Sequence, residues 1–193
     1  MQKKKLTLLL ELADDNDGYV SVADAKRYGI VQTYLCQAEE DGLFTKVAKG
    51  LYLKKGYGRD PFYELFFRYR KVVFSLDSAL FLHGISQDLV LKVNLPTNYL
   101  TQGIEGIPCR HVGQKEYALG LSLAVTPWGN LVSAYDLERT LVDLIRYRDA
   151  FPKEAFLSYW RLGKEKAPNP ERLSAYARAF HVEGELSLLE YLD

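Results

Sequence analysis

The chain has 193 residues, of which 48% are hydrophobic, and its 25 basic and 25 acidic side chains give a formal net charge of zero. This length is typical of one large or two small domains, and the hydrophobic share is large enough for a packed core. The balanced charge excludes DNA binding through the whole surface, so any affinity for nucleic acid must come from local basic clusters.

The first predicted element is a helix at residues 3–13. Its apolar residues recur at helical spacing and are expected to face the core: Leu6, Leu9, Leu10 and Ala13. Glu11 interrupts the apolar run and no small-residue cleavage site follows, so the segment does not match a signal peptide. No stretch reaches the length of a membrane span, and the sequence therefore predicts a cytoplasmic protein without a membrane partner.

Two helices joined by a short turn are predicted next. Ser21 and Asp24 form a capping box, which indicates the start of a helix. Gly29 can adopt the left-handed conformation that ends it. A second helix is predicted at residues 31–41, before Gly42. Its apolar face is formed by Val31, Leu35 and Ala38.

A two-stranded hairpin is predicted after the second helix. Its strand-forming residues are Phe44, Val47, Leu51 and Leu53, and Lys49-Gly50 between them is a turn signal. Two helices joined by a turn and followed by a two-stranded ribbon form a winged helix-turn-helix, which places its second helix in the major groove of DNA. The sequence therefore predicts a winged helix-turn-helix domain at residues 1–58.

Polar and basic side chains of this region are the candidate DNA contacts. Short polar groups on the outer face of the second helix can reach base edges: Gln32, Thr33 and Gln37. Lysines of the ribbon and its exit can meet phosphates: Lys46, Lys49, Lys54 and Lys55. Three carboxylates, from Glu39 to Asp41, end the helix, so this region is not strongly basic. A winged helix can also bind protein, and that alternative remains open.

A second domain is predicted at residues 59–193. The glycines at 56 and 58 indicate a connection between domains, and Asp60-Pro61 indicates the start of a helix. Strands are predicted at 72–74, 89–95, 107–112 and 121–126. Helices are predicted at 76–83, capped by Ser75, and at 134–147, 153–162, 170–180 and 184–192. A capping box formed by Ser133 and Asp136 marks the start of helix 134–147.

The fold class predicted from this order is α+β. An N-terminal winged helix-turn-helix is followed by a mixed α/β domain that ends in helices. Cys36 and Cys109 are far apart in sequence and are expected to be free thiols. Neither cysteine has a second Cys or a His at metal-ligand spacing, and the sequence predicts no cofactor, metal or catalytic residue.

Three blocks of the sequence resemble the AbiEi antitoxins of type IV toxin–antitoxin systems, which are also described as abortive-infection regulators. The first is Lys49-Gly50-Leu51-Tyr52, similar to the close of the family's winged domain. The second covers residues 75–85, SLDSALFLHGI, and is followed by an apolar strand that ends in Pro96. The third covers residues 135–146, YDLERTLVDLIR, similar to the family's Glu-Arg-Thr helix. The proline usual near positions 88–90 is absent.

The resemblance implies two activities. The winged domain binds inverted repeats in its own promoter and represses the operon, and the second domain counteracts a nucleotidyltransferase-like toxin without forming a stable complex with it. The resemblance supplies no catalytic residues. From the predicted exposed face of helix 134–147 and the residues after it, we select an arginine stripe as the candidate antitoxin surface: Arg139, Arg146 and Arg148.

Two alternatives belong to other classes of function. A nuclease would need two or three carboxylates that converge on a metal ion, and the second domain offers acidic candidates: Asp77, Asp136, Glu138 and Asp143. Arg139 and Arg146 lie three residues after two of them and can instead form ion pairs with them, so the sequence favours a protein that is not an enzyme. The other alternative is a protein-binding scaffold.

Overall fold

The computed structural model describes residues 2–99 and 104–192, and these residues form an α+β fold of two compact units. The first unit runs to Arg70 and also includes Val125–Leu131. The second unit contains Lys71–Ala124 and the chain from Val132 onward. In the part of the chain described, no helix is both long enough and apolar enough to cross a membrane.

The first unit combines four helices with a three-stranded antiparallel sheet. Its elements are α1 (Gln2–Asp14), β1 (Tyr19–Ser21), α2 (Val22–Arg27), α3 (Gln32–Glu40), β2 (Phe44–Ala48), β3 (Leu51–Lys54) and α4 (Pro61–Arg68). The strand order is β1-β3-β2, so β3 lies in the middle and pairs antiparallel with both neighbours. The first three helices pack against the sheet and form one hydrophobic core with it. This core includes Leu9, Ala25, Ile30, Leu35, Phe44 and Tyr52.

Local capping chemistry sets the ends of α2 and the start of the turn to α3. The Asp24 backbone N–H donates to Ser21 Oγ at 3.0 Å, which confirms the predicted capping box. Gly29 has a φ of 69°, the left-handed conformation expected at the end of this helix. Helix α3 begins at Gln32, so Val31 is its N-cap residue. The expectation that Val31 faces the core is wrong, because its extended backbone leaves the side chain exposed.

The predicted hairpin is also present. Strands β2 and β3 are joined by Lys49-Gly50, and Gly50 has a φ of 79° that the tight connection requires. The register shifts between Lys46 and Ala48, so the strand is irregular beside Val47.

Helix α4 belongs to the first unit, which differs from the predicted domain boundary at residue 58. Asp60 caps this helix as predicted, since its carboxylate accepts the Tyr63 backbone N–H at 3.0 Å. Tyr63 and Phe67 then pack against the buried side chains of Tyr19, Ala48, Leu51 and Leu53. The aromatic residues of α4 therefore cover the sheet of the first unit, and the break between units falls after Arg70.

The remaining elements include a five-stranded sheet. They are β4 (Val73–Phe74), α5 (Asp77–Leu82), β5 (Val93–Pro96), β6 (Cys109–Val112), α6 (Gln114–Ala118), β7 (Leu121–Val125), β8 (Leu131–Tyr135), α7 (Leu137–Arg146), a 3-10 helix (Arg148–Ala150), α8 (Lys153–Glu165), α9 (Pro170–Ala179) and α10 (Glu183–Leu192). The strand order is β6-β5-β4-β8-β7. The sheet is mixed, because β4 pairs antiparallel with β5 and parallel with β8.

Helix α7 is the centre of the second unit. Every residue from Glu138 to Ile145 is buried, as expected of a helix surrounded by other elements. Its apolar residues pack with Trp160 of α8 and Leu173 of α9. Gly163 permits the close approach of α8, since a Cβ atom at this position would lie 2.3 Å from Leu141 Cδ2.

Two predicted helix starts in this unit are wrong. Helix α7 begins at Leu137 with Asp136 as its cap, and Leu131–Tyr135 is a strand. Val132 and Ala134 point into the core at the period of a strand, so tertiary packing overrides the apparent capping box. Helix α5 is preceded by Leu76, which has a φ of 49°, and Ser75 Oγ donates instead to Asn94 Oδ1 at 3.1 Å.

Candidate nucleic-acid interface

Helix α3 has one buried face and one polar exposed face. Leu35 and Ala38 are buried in the core of the first unit. The exposed face carries the three predicted base-reading residues: Gln32, Thr33 and Gln37. All three side chains are therefore accessible to a ligand, and none contributes to the core.

The three polar residues differ in the partners they already have. Gln37 Nε2 donates to Asp41 Oδ1 at 3.2 Å, a contact on the exposed surface. Gln32 forms a side-chain hydrogen bond with the hydroxyl group of Tyr52, whose pKa is raised by burial. Thr33 has no side-chain partner within the described residues. Gln37 would have to leave Asp41 to pair with a base, whereas Thr33 can contact one directly.

The lysines of the hairpin divide into two groups. Lys46, Lys49 and Lys55 are exposed, and none forms an ion pair with another described residue. Lys54 behaves differently, because its Nζ atom lies 2.5 Å from Asp14 Oδ1. Hydrogen bonds from Lys54 and Tyr57 lower the pKa of Asp14. Lys54 therefore stabilises the contact between β3 and the end of α1, and only the other three lysines have free charges for phosphates.

Three contacts fix the position of α3 relative to its neighbours. Glu39 Oε1 accepts the Lys46 backbone N–H at 3.3 Å, so one of the acidic residues at the end of α3 holds the hairpin. Lys5 Nζ donates to the carbonyl oxygen of Gly29 at 3.2 Å and lies 5.0 Å from the ring centre of Tyr34. These bonds connect α1, the turn before α3, and β2.

The surface around α3 also exposes residues that the sequence analysis did not place on the surface. Tyr28 and Val31 are large apolar side chains that are more than half exposed, and Lys26 is an exposed cation on α2. The spacing of Val31 from Leu35 suggested a core position. The feature of the sequence that indicates an exposed Val31 is its position directly before the start of a helix. The backbone is extended there, so the side chain does not lie on the buried face of the helix.

The arginines selected as an antitoxin surface do not form one exposed stripe. Arg139 is 0% exposed, Arg146 has a side chain that is 18% exposed, and Arg148 lies beyond α7 with a side chain that is 56% exposed. The expectation of an exposed Arg139 is wrong, because the protein itself supplies the partners of this charge. Among the described residues, the ion pair of Arg148 is a long contact of 3.8 Å to Asp149, and its side chain remains accessible.

Arg139 is held by a buried polar cluster. Its Nε atom donates to Asp143 Oδ2 at 3.0 Å, and its Nη1 atom donates to the carbonyl oxygens of Glu116 and Leu119 at 2.9 and 2.8 Å. Its guanidinium group lies 4.2 Å from the ring centres of both Tyr135 and Phe180. These contacts connect α7 to α6 and to the C-terminal helices, which is a structural role.

Asp143 lies between two arginines. Arg146 Nη1 donates to Asp143 Oδ1 at 2.8 Å, while Arg139 donates to the other carboxylate oxygen. Burial raises the pKa of Asp143, and the two guanidinium groups act in the opposite direction. The charge of this carboxylate therefore depends on both arginines.

The other acidic candidates of the nuclease alternative also have protein partners. Asp77 forms an ion pair with Lys92. Asp136 accepts the Arg139 backbone N–H and the Tyr176 hydroxyl group, and burial raises its pKa. Glu138 accepts the Asn169 backbone N–H at 2.7 Å, which fixes the start of α9. Within residues 2–99 and 104–192, no group of three or more His, Cys, Asp or Glu residues could hold a metal ion.

The two cysteines are free thiols, as predicted, and Cys36 and Cys109 are both half-buried. Cys36 Sγ lies 3.8 Å from the hydroxyl oxygen of Tyr52 in the first unit. Burial raises the pKa of the Cys109 thiol in the second unit. The environment of Cys109 therefore does not favour a thiolate that would react.

Among known proteins, similarity to this chain is found in structure and not in sequence. No family model matches the chain, and no curated protein matches it. The crystal structure of the RV2827C protein from Mycobacterium tuberculosis is similar in structure, with 16% sequence identity and a TM-score of 0.48. The similarity covers 91% of this chain and 80% of that chain. A similarity of this size does not assign a function.

Proposed function

We propose that the chain is an antitoxin and transcriptional autorepressor of a type IV toxin–antitoxin operon. In this proposal the first unit is a winged helix-turn-helix that binds inverted repeats in the promoter of its own operon. The second unit counteracts a nucleotidyltransferase-like toxin in the cytoplasm without forming a stable complex with it.

The observation that carries the DNA-binding part is the division of α3 into two faces. Leu35 and Ala38 attach the helix to the core, and the opposite face leaves Gln32, Thr33 and Gln37 accessible. The element order α1-β1-α2-α3-β2-β3 with the sheet order β1-β3-β2 agrees with a winged helix-turn-helix. This class of domain inserts the exposed polar face of its second helix into the major groove.

The proposed binding mechanism separates base contacts from phosphate contacts. The side-chain amide of Gln37 can exchange Asp41 for the edge of an adenine, to which glutamine donates and from which it accepts. Lys46, Lys49 and Lys55 have no carboxylate partner in the described structure and can neutralise phosphates. The bond from the Lys46 backbone to Glu39 keeps the hairpin in place relative to α3, so both sets of contacts can form together.

The antitoxin part rests on the three sequence blocks that resemble the AbiEi family. The third block contains Arg139 and Asp143, whose burial supports a structural role for that block and not direct contact with a toxin. Of the three arginines first selected, Arg148 is the exposed candidate for a protective surface, and Arg146 is partly accessible.

The charge of Lys49 provides a direct test of the phosphate contacts. Lys49→Ala is expected to weaken binding to all DNA sequences alike and to reduce the slope of log K against log salt by about one, because one phosphate is no longer neutralised. The measurement is a salt titration of binding by fluorescence anisotropy. Lys153→Ala changes an exposed lysine of the second unit and serves as the control. A slope that Lys49→Ala leaves unchanged would exclude Lys49 from the interface.

The complete proposal is tested in cells by two readouts from the same strain. A reporter placed behind the upstream DNA of the chain's own operon measures repression, and co-expression with the neighbouring toxin gene measures protection. The wild-type chain is expected to repress and to protect, and Lys49→Ala is expected to lose repression while it keeps protection. If a strain that lacks the gene for this chain still represses the reporter and still survives the toxin, the proposal is contradicted.

A further inference from the structure

Helix α3 has no side-chain cap, a property that it shares with α5, α6 and α8 among the described helices. Four helices begin after a residue whose side chain accepts a backbone N–H three residues later: Ser21, Asp60, Asp136 and Asn169. Val31 occupies the same position before α3 and has no side-chain capping bond. Valine is among the least favourable N-cap residues, because it cannot accept a hydrogen bond from the first turn.

Val31 is also exposed where a polar residue would be expected. Its side chain is 55% exposed, and it directly precedes Gln32 and Thr33 on the accessible surface of α3. Its φ of −81° and ψ of 154° are extended, so the side chain does not follow the buried face with Leu35. The position therefore lacks both a capping bond and the burial that would stabilise an apolar side chain.

Charge and polarity around Val31 indicate what could cover it. Exposed lysines lie on the hairpin and on α2 of the same unit, and exposed carboxylates of Glu40 and Asp41 lie at the far end of α3. The proposed function makes DNA the ligand of the surface around Val31, with the lysines facing its phosphates. The edges of base pairs in the major groove present hydrogen-bonding groups and one apolar group, the C5-methyl group of thymine. The methyl groups of an exposed valine can contact the methyl group of a thymine, while the two polar side chains beside it form hydrogen bonds with neighbouring bases.

We propose that Val31 is a specificity-determining residue that contacts the C5-methyl group of a thymine in the operator. This inference rests on the proposed DNA-binding function and adds a base identity to it. Helix α3 begins with a valine instead of a capping residue because the methyl contact contributes to operator recognition. The stability of the helix therefore favours a polar capping residue at this position, whereas operator recognition favours valine.

The substitution Val31→Ser is expected to change stability and operator affinity in opposite directions. Serine removes both methyl groups and supplies a capping oxygen, so the variant is expected to unfold at a higher temperature than the wild-type protein. Its affinity for the operator is expected to fall roughly four- to fifteenfold, the factor that corresponds to losing one or two buried methyl contacts. A residue that served only structure would not show this combination.

Removal of the methyl group from the DNA completes the test. Each thymine of the upstream DNA is replaced in turn with deoxyuridine, and the affinity of the full chain is measured by fluorescence anisotropy. At one thymine, the wild-type protein is expected to lose affinity by a similar factor, whereas Val31→Ser loses nothing further. Leu123→Ser changes a side chain that is 62% exposed in the second unit and is expected to bind all these DNAs as the wild type does.

The possible contrary results distinguish an error in the assignment of Val31 from an error in the proposed function. If Val31→Ser binds the operator as tightly as the wild-type protein, or if deoxyuridine affects both proteins equally at every position, the assignment of Val31 is wrong and the proposed function stands. If Val31→Ser weakens binding to operator and shuffled DNA equally, Val31 does not read a base. If the wild-type protein does not distinguish its upstream DNA from shuffled DNA, the inference and the proposed function both fail.

Discussion

Replacing Arg139 with alanine is expected to destabilise the second unit strongly, by about 3–5 kcal/mol, because it removes one of the two arginine partners of a buried carboxylate. Arg139 is fully buried and pairs with Asp143, which is itself buried. The same substitution also removes the bonds to the carbonyl oxygens of Glu116 and Leu119. Since small domains have about 5–15 kcal/mol of total stability, this loss is a large fraction of it.

The two tryptophans allow the loss to be assigned to one unit. Trp160 is buried in the core of the second unit, and Trp128 belongs to the first. In a Trp128→Phe background, urea unfolding followed by fluorescence reports the second unit alone. Arg148→Ala is the matched control, because that side chain is exposed and its loss is expected to change stability by less than about 0.5 kcal/mol. Equal midpoints for the two variants would contradict the structural role of Arg139.

The effect of Arg139→Ala is expected to depend on pH with a defined sign. Burial already raises the pKa of Asp143, and loss of a neighbouring guanidinium group raises it further. A carboxyl group with a raised pKa binds more protons in the folded state than in the unfolded state, so stability increases as the pH falls through the folded pKa. The difference from the wild-type protein should therefore shrink at acid pH, and a difference that grows there would contradict this account.

Replacing Asp60 with alanine is expected to destabilise the first unit by roughly 3 kcal/mol or more, because three donors lose a buried acceptor. Its carboxylate accepts the Tyr63 backbone N–H at 3.0 Å, the Thr126 hydroxyl group at 2.6 Å and the Asn130 amide at 3.0 Å. The Asp60 backbone N–H also donates to the hydroxyl oxygen of Tyr19 at 2.6 Å. One buried residue thus connects α4, β1 and the segment Val125–Leu131.

The fluorescence of Trp128 measures the loss of stability expected for Asp60→Ala. In a Trp160→Phe background, its fluorescence follows the unfolding of the first unit, to which it belongs. Asp60→Asn keeps the shape and part of the hydrogen-bonding capacity and should cost less than Asp60→Ala. Asp15→Ala alters an exposed carboxylate of the same unit and should leave the midpoint almost unchanged. If Asp60→Ala behaves like Asp15→Ala, the network does not hold the first unit together.

Features that depend on residues three or four apart could be predicted from the sequence. The caps formed by Ser21 and Asp60 are examples, because donor and acceptor lie within one turn of the chain. The hairpin at Lys49-Gly50 follows in the same way from turn chemistry. These local rules predict α2, the hairpin and the start of α4.

Features that depend on distant residues could not be predicted in this way. The polar partners that permit Arg139 to be buried include the carbonyl oxygens of Glu116 and Leu119, more than one element away in sequence. Thr126 and Asn130 join the first unit through Asp60, although 66 and 70 residues separate them from it. A break after residue 58 would remove these contacts, so we expect a stable DNA-binding unit to need α4 and Val125–Leu131.

The central claim, that the first unit reads DNA sequence through α3, is tested most directly by an anisotropy titration of the full chain. The two ligands are the upstream DNA of its own operon and a shuffled duplex of the same length and composition, at one fixed salt concentration. We expect the upstream DNA to bind more tightly by about 10³-fold or more, the lower end of the range for sequence-specific proteins. Equal affinity for the two duplexes, or no binding to either, would contradict the claim.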